Sequence, residues 1–583
     1  MSNTSTTEGG SFSPTSDRGW LVNFLSIIGW KLLPFFIVLT PFLQYLNAHD
    51  TRWNSESALG LGLILFLVAF LLVLAGWLGG SLIEAIITSG LLVIFIDFQS
   101  DWLVQFSWLK LVVTFFGIFL IILFLKQNFY KIATTFFLTF FLLTVVQGAL
   151  MDTDHQSNWQ VKAKQLHDRY PSRVIHLVLD GHIGIEGISR NSTIGEISKE
   201  TISRFYEKYK FRVFGGAYSR YYKTRNSIPH VLNFYNNSNV DSLVEENHGT
   251  GLIVSRNDYF TELAGLGYGL NVWQSGMVDY CQHSADFIDG CSTYSLMDYE
   301  GLDNVGISLS DRIGLLFRSI AQSSYIINDW LKYQYGKRIM PMANRTGVSL
   351  PQWPKVVVGQ ATWPLNAFNA LEKVWIDIIE LPTGNFLFAH LMVPHRPYAV
   401  NSDCSVKTNI DDWGVHYDSR GEPVKEINDQ RYFEQTNCIY VKLEYLFEEM
   451  QRKGIFEDSL IIIHGDHGAR NSLKQKIRES IEGVTSEDII DSYSTLFAVK
   501  LPGDSGGYDS QVVSIDELLI KIMHRHMKLD MTLITRPTLP FVYLRYSDFE
   551  GIDGSNDFFR LSYPDGHLLE TGDKPHCQDG SCF

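Results

Sequence analysis

A chain of 583 residues is several times the length of one small module, and its 45% apolar and 19% charged residues exclude a disordered chain and a coiled coil. The formal net charge of −15 is unevenly spread: residues 1–150 hold six Lys/Arg and seven Asp/Glu, so the rest carries 42 basic against 56 acidic groups. That acidic part repels a phosphate backbone, which argues against nucleic acid as a partner, although a local basic pocket or a bound metal can still receive an anion.

Residues 1–20 read as a cytoplasmic tail and 21–150 as a membrane domain of successive apolar runs: Phe24 to Leu46, Ala58 to Leu78, Leu82 to Phe98, Trp108 to Leu125 and Phe129 to Gly148. Each is near the roughly 20 residues that cross a bilayer as helix, and apolar residues surround each helix instead of forming a stripe. The break at Gly76-Trp-Leu-Gly-Gly-Ser81 is the weakest, so four spans stay open beside five. Lys126 and Lys131 flank one loop, Asp97 and Asp101 another; the positive-inside rule then places the Lys loop and the tail with Arg18 inside and everything after about residue 150 outside. Glu84, near a predicted helix end, is expected to snorkel to the interface. All six cysteines (Cys281, Cys291, Cys404, Cys438, Cys577, Cys582) lie after residue 150, as disulfides in an oxidising compartment require. Pairing of near neighbours gives 281 with 291, 577 with 582 and 404 with 438, one of the 15 connectivities that six cysteines allow.

Residues 151–172 read as a polar linker. From 173 onward short β-branched runs alternate with helical periodicity. Val174-Ile-His-Leu-Val-Leu179, Phe386-Leu-Phe-Ala-His-Leu-Met392 and Leu460-Ile-Ile-Ile-His464 have the character of buried parallel strands, and Leu443, Leu446, Phe447 and Met450 recur at helical spacing before Lys453-Gly454. This predicts an extracytoplasmic α/β domain over 173–545, with 546–583 as a tail carrying a local disulfide. In open α/β sheets ligands gather at the carboxyl ends of strands, where Asp180, His395, Asp466 and His467 fall.

Two carboxylates and an imidazole, Asp180, Asp466 and His467, suit a divalent ion, Zn or Mn first, with Mg or Ca open. Thr224, in Tyr222-Lys-Thr224-Arg-Asn-Ser227-Ile-Pro229, is a candidate fourth ligand, and a metal-held hydroxyl of lowered pKa is a nucleophile for a phosphorus or sulfur centre. Pro229 predicts an extended Ile228 and a break there. Lys223, Arg225 and Arg396 are candidate contacts for an anionic group. His395 is a candidate to donate to a phosphoryl oxygen or to protonate a leaving group, and His390 is either a substrate contact or a hydrogen-bonded core histidine.

Asp180 after a strand, Thr224-x-x-Ser227-x-Pro229, His395-x-Pro397-Tyr398 and Gly465-Asp466-His467-Gly468, in this order, resemble the sulfatase-like branch of the alkaline phosphatase superfamily. A multi-span anchor with an outer catalytic domain resembles its phosphoethanolamine transferases and lipoteichoic acid synthases. The resemblance implies a metal held by Asp180, Thr224, Asp466 and His467, a covalent intermediate on Thr224, and His395 near the transferred group. It also implies a membrane lipid donor and a glycan or lipid acceptor, in a bacterial inner or plasma membrane, with the oligomeric state undefined. Asp180 stands where those transferases commonly carry Glu, the Cys-x-Pro-x-Arg element of formylglycine sulfatases is absent, and no His follows His467 within a dozen residues, which weakens a second metal site. The expected activity is transfer of a phosphoethanolamine or phosphoglycerol group. The alternatives are a sulfatase-like or phosphodiesterase hydrolase and a catalytically silent scaffold for envelope assembly.

Overall fold

The computed structural model describes residues 31–49, 51–100, 108–150, 163–164, 170–189, 193–234, 240–246, 251–299, 302, 306–331, 333, 335–346, 360–418, 423–471, 485–529, 539–545, 558–563, 568–569 and 576–577. The chain forms two compact units, 1–153 with 312–353, and 154–311 with 354–583.

The first unit is helical: α1 (Leu33–Ala48), α2 (Glu56–Gln99), α3 (Trp108–Leu125) and α4 (Gln127–Leu150). Of these, α2 and α4 are long and apolar enough to cross a membrane, and α1 and the span Leu109–Leu125 are shorter apolar helices. A straight helix of 44 residues would extend about 66 Å, but α2 is broken at Gly80 (φ 75°, ψ −175°). Its halves fold back on each other, since a Cβ on Gly76 would stand 3.5 Å from Glu84 Cα. The Gly-rich break marked in the sequence is therefore a hairpin turn. Beside it Glu84 lies 3.6 Å from Lys31. Leu33, Ile37, Ala85, Ile122 and Phe137 form the interior of the unit, while Leu63, Phe66, Leu67, Phe70 and Leu71 point outward.

The second unit is built on an eight-stranded sheet: β1 (Arg173–Leu179), β2 (Arg212–Phe214), β3 (Gly269–Ser275), β4 (Ile288–Tyr294), β5 (Asn385–Leu391), β6 (Ser459–Gly465), β7 (Phe497–Lys500) and β8 (Gly507–Asp509), in the spatial order β8-β2-β7-β6-β1-β5-β3-β4. The run β6-β1-β5-β3-β4 is parallel throughout, and β7 pairs antiparallel to both neighbours. The three strands read from the sequence are its centre, which is why their residues are apolar on both faces and buried. The helix Lys425–Arg452 feeds β6 through Lys453-Gly454, where Gly454 takes φ 70°.

Three expectations are corrected. Residues 312–353 do not belong with the uninterrupted 173–545 domain: Arg312 pairs with Glu56 (2.7 Å) and Ser324 with Asp97 (2.6 Å), which holds them in the first unit. A boundary at 545 cuts a three-stranded sheet, because Phe558–Ser562 pairs with Phe541–Arg545 and with His576–Cys577, and Val542, Leu544, Leu561 and Tyr563 share one core. Pro229 does not break the chain; the helix Thr224–Leu232 runs through it with Ile228 helical, at the cost of the one backbone bond that Pro229 cannot donate. Disulfides join Cys281 to Cys291 and Cys404 to Cys438. The expected partner of Cys577, Cys582, lies outside the described residues, as do the tail 1–20 and most of the linker 151–172.

Candidate metal and catalytic site

Strands β6, β1 and β5 end in register, Leu179 standing opposite both Gly465 and Leu391, so the residues that follow them meet at one edge of the sheet. Gly181 (φ 72°) lets the chain turn directly after Asp180. Gly465 and Gly468 serve a different purpose: a Cβ there would lie 2.4 Å from His182 O and 2.2 Å from Asp491 O, so they permit close packing and do not relieve a strained turn. Asp466 Oδ1 accepts hydrogen bonds from Gly181 N and His467 N, both at 2.9 Å, tying the β1 and β6 turns together.

Thr224, the first residue of its helix, donates to Asp180 Oδ2 at 3.0 Å and lies 3.3 Å from His467 Nε2. His467 Nε2 is 3.4 Å from Asp466 Oδ2 and 3.7 Å from Asp180 Oδ1. One ligand atom from each of Asp180, Asp466 and His467 falls within 4.8 Å of the others, and all four side chains are buried. Ser227, in the next turn of the helix, donates to Asp466 O (2.5 Å) and bonds to Ser219 Oγ (2.9 Å), so its hydroxyl braces the site from behind.

These residues fit a divalent ion. Among the described residues Asp180 Oδ1 and Asp466 Oδ2 are buried without a hydrogen-bond partner, which is costly for carboxylates unless a cation faces them. Burial and the adjacent Asp180 carboxylate push Asp466 up to about 6. Burial also acts to raise Asp180, but the surrounding His395, His390 and His467 outweigh it and hold that carboxyl low. His467 Nδ1 donates to Gly468 O at 2.8 Å, which leaves the Nε2 lone pair facing the two carboxylates; burial and the Arg470 charge lower its pKa to about 3, keeping it neutral.

Around this centre, His390 is fully buried on β5, with Nδ1 2.8 Å from Tyr280 Oη and Nε2 3.4 Å from Asp180 Oδ2. It is hydrogen-bonded and also faces the site, so the two sequence readings are not exclusive. His395 Nδ1 donates to Arg396 O at 2.5 Å, and burial lowers its pKa to about 4. Its resting tautomer is therefore an acceptor at Nε2, where the sequence reading assigned it a donor. Trp363 packs 5.8 Å from the His395 ring. Lys223 and Arg225 flank Thr224, with the Lys223 ammonium over the Tyr222 ring. Arg396 is exposed.

Two contributors escaped the sequence reading. Arg470 takes φ 60°, donates to Tyr222 O at 3.3 Å, and is brought by the chain after His467 to the Asp180 and Asp466 charges; burial and the neighbouring Arg396 lower its pKa. A basic residue three positions after His467 was the available signal. Tyr280 comes from the β3–β4 region, where no sequence motif pointed inward.

No family model matches the chain. Over 95 residues, 16% of this chain and 15% of the relative, it is 28% identical to lipoteichoic acid synthase of Staphylococcus saprophyticus, so it matches about one seventh of that relative's length. Among solved structures it is similar to the C-terminal periplasmic domain of EcEptC from Escherichia coli, with a TM-score of 0.36 and 10% identity over 68% of this chain and 93% of that chain. It is also similar to a protein in the alkaline phosphatase superfamily from Vibrio parahaemolyticus, with a TM-score of 0.37 and 10% identity over 73% and 84%. The chain resembles the sulfatase-like branch of that superfamily.

Proposed function

We propose that this chain is a membrane-anchored, metal-dependent enzyme of phospho- or sulfo-esters, acting as a phosphoethanolamine or phosphoglycerol transferase. Its donor is a membrane lipid, its acceptor an envelope glycan or lipid, and its site faces the extracytoplasmic side. The observation that carries the reading is Thr224: a buried hydroxyl 3.0 Å from Asp180 Oδ2 and 3.3 Å from His467 Nε2, beside two carboxylate oxygens with no hydrogen-bond partner among the described residues. The similarity to lipoteichoic acid synthase supports a lipid-linked donor. The outward-facing leucines and phenylalanines of α2 support a membrane, because such a surface is stable in lipid and not in water.

Asp180, Thr224, Asp466 and His467 would hold the ion, which supplies Lewis acidity that lets a hydroxyl lose its proton at neutral pH. Thr224 Oγ1 would form a bond to the donor phosphorus while the bond to the lipid oxygen breaks, and that oxygen takes up the proton that Thr224 gave up. In the second half the acceptor hydroxyl attacks the phosphorus, the bond to Thr224 Oγ1 breaks, and His395 Nε2 accepts the acceptor's proton. Arg396, Arg470, Lys223 and Arg225 supply positive charge for the non-bridging oxygens, and His390 orients Asp180.

The test is mass spectrometry of the full-length protein after incubation with bacterial membrane lipids. A mass added to the peptide bearing Thr224 identifies the transferred group; an adduct on Ser227, or none under conditions of turnover, refutes the mechanism.

A further inference from the structure

The segment 312–353 interrupts the second unit in sequence, and its described residues, up to 346, group with the apolar helices of the first. Its composition inverts that of its surroundings: Arg312, Arg318, Lys332, Lys337, Arg338 and Arg345 stand against the single Asp329, in a chain of net charge −15. It also carries Tyr325, Trp330, Tyr333, Tyr335 and Trp353. Basic residues mixed with Tyr and Trp are the composition favoured where a membrane meets water.

The structure gives this composition a location. Helix Leu309–Gln322 turns Leu315, Leu316 and Ile320 inward, and the short helical pieces Ile326–Leu331, Tyr335–Ile339 and Met340–Thr346 follow. Two anchors fix the start of the segment. Arg312 Nη2 pairs with Glu56 Oε2 at 2.7 Å, and the buried Asp97 carboxylate accepts hydrogen bonds from Ser324 Oγ (2.6 Å) and Ile326 N (2.9 Å). Glu56 and Asp97 lie at the two ends of the α2 hairpin, opposite the Gly80 turn. The start of the segment is therefore fixed at the rim where the apolar hairpin ends, which is the headgroup level if the hairpin spans a membrane. Past the anchors, Tyr333, Ile339 and Met342 are 53%, 45% and 69% exposed. Lys337, Arg338 and Arg345 are exposed among them, and the Lys337 ammonium lies 4.8 Å from the Tyr333 ring centroid.

From this placement we infer that the described residues between 326 and 346 form an interfacial element lying in the headgroup layer at the extracytoplasmic end of the helices and binding anionic phospholipid. Ile339 and Met342 enter the acyl boundary, and Lys337, Arg338 and Arg345 meet lipid phosphates. The inference rests on the reading of the apolar helices as membrane-spanning and is independent of the catalytic reading.

The test uses the full chain in nanodiscs, with an environment-sensitive fluorophore on Met342→Cys and the labelled parent chain as background. Lipids brominated high in the acyl chain are expected to quench this label at least twofold, and lipids brominated near the chain end to quench one on Leu67→Cys. Charge reversal by Lys337→Glu, Arg338→Glu and Arg345→Glu together is expected to halve the quenching at Met342→Cys in phosphatidylglycerol and to change it little in phosphatidylcholine. An unquenched Met342→Cys beside a quenched Leu67→Cys would overturn the inference alone. A charge-reversed chain quenched as strongly as the parent in phosphatidylglycerol would overturn recognition of anionic lipid. Lack of quenching at Leu67→Cys would overturn the membrane placement and this inference with it, whatever the protein's activity.

Discussion

The Thr224 hydroxyl and the Asp180 carboxylate, 44 residues apart in sequence, are joined by a 3.0 Å hydrogen bond in a fully enclosed setting. A threonine donating to a buried carboxylate is held in one rotamer, with its oxygen already among the groups that would hold a cation. Thr224→Ala is expected to lower turnover of a phosphodiester by roughly 10³-fold or more while circular dichroism and metal content stay near those of the parent. Ser227→Ala is expected to act on stability, because removing its hydroxyl leaves Asp466 O and Ser219 Oγ short of a buried partner, at about 1–3 kcal/mol. Equal turnover in Thr224→Ala and the parent would place the nucleophile elsewhere.

The two oxygens of Asp466 differ: Oδ1 accepts from two backbone amides, and Oδ2, 3.4 Å from His467 Nε2, has no hydrogen-bond partner among the described residues. Asp466→Asn can keep the acceptor at Oδ1 and lose the charge. Divalent-metal affinity, followed by competition with a chelator, is expected to fall at least about tenfold without loss of fold. Unchanged affinity would show that the ion is held by other groups.

His176 and His230 are buried away from the site and are kept neutral chiefly by burial, which lowers His230 to about 4 and His176 well below the usual histidine value. Both folded-state values lie below the unfolded value near 6.5, so the unfolded chain binds more protons on the acid side. The stability they protect is complete above pH about 6.5 and is lost as pH falls toward 4, at up to about 1.4 kcal/mol per pH unit for each. Urea denaturation at pH 7.5 and 5 should show this loss, and His230→Asn should flatten the slope if its new amide is accommodated. A midpoint that does not change over that range would contradict it.

The Cys404–Cys438 bridge joins the loop after His395 to the helix Lys425–Arg452 and closes 34 residues of sequence separation. Cys404→Ser with Cys438→Ser is expected to cost about 3–4 kcal/mol by loop-closure entropy. Activity is expected to fall as well, because Gln435 Nε2 on the same helix hydrogen-bonds the carbonyls of Pro394, His395 and Pro397. Thermal scans of oxidised and reduced protein check the first effect.

Arg470 is half-buried beside Arg396 and donates a hydrogen bond to the Tyr222 carbonyl at 3.3 Å. Arg470→Ala is expected to raise KM for an anionic ester and weaken inhibition by inorganic phosphate by about tenfold, with Arg470→Lys intermediate. Inhibition unchanged in both variants would remove it from the anion site.

Local pattern was enough to read the central strands, the apolar helices and the motif residues Asp180, Thr224, Asp466 and His467, because burial on both faces, bilayer length and a strand-end carboxylate each leave a mark within a few positions of sequence. It was not enough for Pro229, whose helix persists because neighbouring contacts outweigh one missing hydrogen bond, nor for the tail, whose strand Phe558–Ser562 finds its partner only across a stretch without regular pattern. The meeting of Thr224 with Asp180, the roles of His390 and Tyr280, and the arrival of Arg470 beside Arg396 depend on strand order and on a helix terminus brought over from elsewhere. The return of 312–353 to the apolar helices is of the same kind: its basic and aromatic residues are plain in the sequence, but their assignment to the rim of the α2 hairpin comes from the Arg312–Glu56 and Ser324–Asp97 contacts, and contacts between residues hundreds of positions apart are a property of the folded chain alone.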